Sequence, residues 1–78
     1  MKTIKVLGTG CANCKATVKL IEKAARAKGV AVNLEKVENI ADIMAYGVMS
    51  TPGVVIDGRV VHAGGVPNKN AVEGWLAG

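Results

Sequence analysis

At 78 residues the chain has room for one small domain, expected to span 1–78. Half of it is apolar, yet it has no Phe and only 3% aromatic residues, so its core must come from Val, Ile, Leu, Ala and Met, with Tyr46 and Trp75 as single large pieces. The net charge of +4 is spread from Lys2 to Lys69. It lacks the interleaved aromatics or glycine loops of a nucleic-acid surface, so no nucleic-acid partner is expected.

Thr3 to Leu7 reads as a strand, apolar at Ile4, Val6 and Leu7 and stopped by Gly8 and Gly10. Lys5 conflicts with burial on both faces; either it lies near a sheet margin, or its stem is covered while the ammonium reaches water. From Ala12 to about Lys28 the period turns helical. Cys14, Val18, Ile21 and Ala25 make one apolar row, opposite Lys15, Lys19, Glu22 and Arg26, and Gly29 can end the helix. Lys15, Lys19, Lys23 and Arg26, the densest basic group, are expected to be a solvated face.

Val30 to Val37 alternates as a second strand, parallel to the first by the connection rule. Asn39 can cap a short helix with Asp42 in its first turn; Ile40, Ile43 and Met44 form its apolar side and Gly47 ends it. Met49 to Gly53 breaks regular structure, with Met49 expected to pack within the loop. Two β-branched runs around Asp57-Gly58 predict a hairpin over Val54 to His62. After Gly64-Gly65-Val66-Pro67 comes a last helix, capped by Asn68, with Val72, Trp75 and Leu76 on its buried side. Gly74 inside it costs some stability.

The order β-α-β-α-β-β-α predicts an α/β fold with a four-stranded mixed sheet and helices on both faces. Its chemistry should centre on Cys11-Ala12-Asn13-Cys14, which holds the only two cysteines, at a strand-to-helix turn. Two such thiols can cycle between dithiol and disulfide or hold a soft metal. The start of the chain is too short and interrupted for a signal-peptide core, and no apolar run approaches membrane-spanning length. A cytoplasmic protein with no membrane partner is expected, and there such thiols are catalytic or metal-binding rather than a permanent staple.

With these cysteines opening the first helix and Thr51-Pro52 leading into the hairpin, the chain resembles the thioredoxin and glutaredoxin superfamily. It is most similar to the small archaeal and bacterial redox-active disulfide proteins, whose active-site stretch reads much like Gly8-Thr9-Gly10-Cys11-Ala12-Asn13-Cys14. The resemblance covers the whole chain and implies a thioredoxin-like fold. It implies further that Pro52 is cis and sits against the cysteines; on residue type alone an ordinary trans turn would be expected, since only roughly 5–6% of X-Pro bonds are cis. Thioredoxin proper has an aromatic residue before its first cysteine and Gly-Pro between the two, where this chain has Gly10 and Ala12-Asn13. No acidic residue of the early strands matches thioredoxin's buried carboxylate: Glu35 and Glu38 come too late, and Glu22 is on the polar helix row.

A helix N-terminus favours an anion, so Cys11 is expected to be the nucleophile and Cys14, one turn in and more buried, the resolving thiol. Thr51 and Pro52 would offer main-chain groups to an extended substrate. Gly10 and Lys15 are further candidates. So are Gly64 and Gly65, in the position of a glycine pair that lines the glutathione site in glutaredoxins; a tight turn explains them as well. His62 is expected to be a surface residue.

The resulting expectation is a monomeric thiol–disulfide oxidoreductase with no cofactor or metal beyond the Cys11–Cys14 disulfide. Its partners would be protein disulfides and a thioredoxin-reductase-type or ferredoxin-linked reductase, with glutathione ranked behind. The alternative is a Cu(I)-type carrier using the same cysteines, because the stretch also resembles heavy-metal-associated domains. Those have the order β-α-β-β-α-β and usually a Met before the first cysteine, where this chain has Thr9-Gly10.

Overall fold

Seven elements follow one another in the order expected: β1 (Lys2–Leu7), α1 (Ala12–Lys28), β2 (Val32–Val37), α2 (Ile40–Ala45), β3 (Gly53–Ile56), β4 (Arg59–Ala63) and α3 (Lys69–Ala77). They come from a computed structural model that describes residues 2–8 and 12–77. The sheet order is β2-β1-β3-β4, with β1 parallel to β2 and antiparallel to β3, and β3 antiparallel to β4. This succession of elements is not that of the heavy-metal-associated domains.

Strand alternation sorts the core into two layers. Ile4, Val6 and Val54 face α1 and α3, meeting Val18, Ile21, Ala25, Val72 and Leu76. Leu7 and Val55 face the other way, meeting Ile43 of α2 and Val48. Trp75 is only half-buried at the edge of the larger layer. The smaller layer corrects two expectations. α2 has six residues and buries Ile43 alone; Ile40 is 63% and Met44 69% exposed, because a helix that short covers only the end of β1 and β3. Met49 does not pack within its loop: it is 98% exposed.

Lys5 is on the central strand, not at a margin. Its ammonium reaches the Tyr46 hydroxyl at 3.3 Å, and that hydrogen bond, more than any other cause, raises its pKa above the ordinary value of 10.5. Glu35 and Asp42 raise it further.

β2 starts two residues later than the alternation suggested, because Val30 serves the end of α1 instead. Its N–H donates to Ala25 O at 2.9 Å and that of Gly29 (φ +66°) to Arg26 O at 3.2 Å, which together make a Schellman cap. The caps at the other helices are the expected ones. Asn39 Oδ1 accepts from Ala41 N at 2.8 Å, and Asn68 Oδ1 from Asn70 N at 2.7 Å.

At the hairpin Asp57 (φ 49°) and Gly58 (φ 85°) both take the left-handed conformation that a two-residue turn needs. The turn is tied to the start of β1: Asp57 N donates to Thr3 O at 2.9 Å, and Thr3 N to Asp57 Oδ1 at 3.0 Å. A bulge between Val54 and Val55 shifts the β3–β4 register, leaving Val61 as the extra residue before His62.

Candidate active site

β1, α1 and the loop before β3 meet where the parallel strands end. Cys14, the third residue of α1, is 5% exposed and is in disulfide form rather than a free thiol. Gly10 and Cys11, both singled out from the sequence, lie outside the described residues.

Gly8 is what lets these elements close on one another. A Cβ placed there would lie 2.2 Å from Cys14 Sγ and 3.7 Å from Thr51 Cβ. The contact requires a residue without a side chain, so Gly8 is needed for close approach and not for a left-handed turn. Its N–H donates to Val37 O at 2.9 Å, continuing the β1–β2 ladder one step past the strands and fixing Gly8 under the sulfur.

Thr51, which the same Cβ would meet, is exposed and is followed by the buried Pro52; the bond between them is cis. Two glycines hold this loop. Gly53 starts β3 with its Cα against Val48 and Leu7, where an added Cβ would stand 3.0 Å from a Val48 methyl. Gly64 donates its N–H to Pro52 O at 2.9 Å. Gly64 and Gly65 have φ of 82° and 70°, so the pair forms a turn that glycine alone adopts without strain.

Cys14 also lines a small cleft between α1 and β2, with Gly8, Lys15, Val18, Lys36 and Glu38 among its walls. Lys15, itself exposed, borders the same cleft. Lys36 and Glu38 were not expected there, because Glu38 follows the cysteines by more than 20 residues in the chain. The parallel pairing of Leu7 with Val37 sets Glu38 level with the β1–α1 junction. The second strand is expected to run parallel to the first, but the residue-by-residue register that brings Glu38 here has no local signature in the sequence. Below Cys14, the fully buried Thr17 satisfies its hydroxyl by donating to Asn13 O at 2.8 Å.

The first turn of α1 contains no acidic residue, so nothing on the helix opposes an anion at its N-terminus. The sulfur of Cys14 lies in the first turn of α1, close to the exposed Thr51.

The chain is similar to known proteins in both sequence and fold. A family model described as "Thioredoxin domain" matches residues 2–77. The chain is 32% identical to a thioredoxin of Methanothermobacter thermautotrophicus over 77 residues, covering 99% of this chain and 100% of that one. It is 32% identical to a thioredoxin of Methanocaldococcus jannaschii over 82 aligned positions, covering 100% and 94% of the two chains. Among solved structures, a mutant thioredoxin from Halobacterium salinarum superposes with a TM-score of 0.67 at 25% identity, covering 96% of this chain and 71% of that one. Thioredoxin-2 of the malaria parasite reaches a TM-score of 0.71 over 97% and 81% of the chains; at 14% identity that likeness concerns the fold alone.

Proposed function

This chain belongs to the thioredoxin family, and from that membership we propose that it reduces protein disulfides by exchange through Cys11 and Cys14. Family membership makes it a thiol–disulfide oxidoreductase that acts on protein disulfides and is served by a reductase partner. The assignment of the individual sulfurs is our own.

In this reading the Cys11 thiolate attacks one sulfur of the substrate disulfide. The substrate S–S bond breaks, a Cys11–substrate bond forms, and the departing sulfur takes up a proton. Cys14 then gives up its own proton and attacks Cys11, releasing the second substrate thiol and leaving a Cys11–Cys14 disulfide. Two electrons pass from the chain to the substrate, and a flavin- or ferredoxin-linked reductase restores the dithiol, with glutathione a less favoured donor.

The observation that supports this reading most is the approach of Gly8 to both Cys14 and Thr51 at the start of a 17-residue helix. The helix start lowers the pKa of a thiol at its mouth. Burial keeps Cys14 back until Cys11 presents its mixed disulfide. Exposed Thr51 can pair with the backbone of a substrate segment, giving affinity with little sequence preference.

The test is stoichiometric. Fully reduced chain, mixed with a disulfide-containing protein and no other reductant, should reduce one substrate disulfide per chain. Mass mapping should then find the Cys11–Cys14 bond. Substrate that remains oxidised, or a product linked through two separate chains, would contradict the reading.

A further inference from the structure

His62, expected from the sequence to be a bystander on the surface, is half-buried and has two partners. Its ring packs against Trp75 of α3, with centroids 6.1 Å apart and planes inclined at 55°. Its Nε2 lies 2.9 Å from Gly65 O. A carbonyl oxygen can only accept, so Nε2 carries a proton and donates it there.

Gly65 and Gly64 form the turn with two consecutive positive φ values. Glycine reaches that conformation freely but also leaves it freely, so the turn has to be held from outside. His62 holds one side of it. The other side is the bond from Gly64 N–H to Pro52 O, and a Cβ at Gly64 would meet Ser50 Cβ at 3.2 Å. A continuous set of contacts therefore runs from Trp75 through His62, Gly65 and Gly64 to Ser50 and Pro52. It ends at Thr51, which shares Gly8 with Cys14.

We propose that His62 is a positioning residue for the substrate-facing Thr51–Pro52 loop, acting through the Gly64–Gly65 turn. It touches neither the sulfurs nor a substrate. By fixing Gly65 O it keeps the Gly64 N–H aimed at Pro52 O, and so sets where Thr51 offers its backbone. The consequence for catalysis rests on the disulfide-exchange reading; the mechanical coupling does not.

The experiment compares His62→Leu, which keeps apolar bulk against Trp75 but loses the donor, with His62→Gln, which restores an N–H at similar reach. Two quantities are read: hydrogen exchange at the Gly64 amide, and KM against kcat for reduction of a protein disulfide. The lost hydrogen bond should speed Gly64 exchange and raise KM in His62→Leu by about 2- to 10-fold, leaving kcat within about twofold. His62→Gln should recover most of both. Unchanged Gly64 exchange in His62→Leu would overturn the proposal. So would a His62→Gln variant no better than His62→Leu, which would reduce the histidine to packing. If the wild-type chain reduces no disulfide, the functional reading has failed, and Gly64 exchange alone decides the coupling.

Discussion

Cys14→Ser should stop multiple turnover by at least about 10³-fold, while leaving the first exchange step intact. A serine hydroxyl does not cleave a disulfide, so the mixed disulfide on Cys11 has no internal route to release. The variant should accumulate as a covalent adduct with its substrate, one substrate per chain, seen as a reductant-sensitive band by non-reducing electrophoresis. Serine is smaller than cysteine, so it fits the close site over Gly8. The folded structure should survive, which circular dichroism can verify. Turnover at the wild-type rate would mean that an external thiol resolves the intermediate, leaving Cys14 without the proposed role.

Gly8→Ala should have the second largest effect, and it should depend on redox state. The added methyl would stand 2.2 Å from Cys14 Sγ and 3.3 Å from Cys14 Cβ, too close without movement of α1 or β1. In the oxidised chain Cys14 is held in its disulfide, so the strain has no outlet through that side chain. Overpacking of this kind costs about 1–3 kcal/mol. For a domain of this size each kcal/mol lowers Tm by about 4–8 °C. In the reduced chain Cys14 can turn to another rotamer and relieve part of the clash. Thermal melts should therefore show a larger drop for oxidised than for reduced Gly8→Ala, and by linkage the variant should be harder to oxidise. Equal drops in both states would show that the sulfur is not what Gly8 makes room for.

The residues of the site differ in how readily the sequence betrays them. The element order and the long amphipathic α1 were readable because 3.6-residue and two-residue periods survive in a chain whose core is almost wholly aliphatic. Asp57-Gly58 and Asn68 announce a turn and a cap through local chemistry, and the structure uses them so. What failed was burial at the smaller layer. Ile40 and Met44 have the spacing of a buried face, but among the described residues nothing covers them. Pattern reports which face could be buried, and only the surrounding tertiary structure decides whether it is.

Gly8 and Glu38 were missed for a different reason. Gly8 looks like a strand terminator, and its need for close approach to Cys14 appears only when α1 folds back over β1. Glu38 reaches the cleft beside Cys14 through the β1–β2 register, a relation between distant segments. His62 was passed over because its partner is the carbonyl of a turn that sequence describes only as flexible.

The central claim is that the sulfur at the mouth of α1 is the anion and the one behind it is not. A substoichiometric alkylating reagent, added to fully reduced chain near neutral pH and followed by peptide mapping, reads this directly. The account predicts that Cys11 takes the label first, at a pH where Cys14 stays largely unmodified. Label appearing first on Cys14, or equally on both, would contradict it.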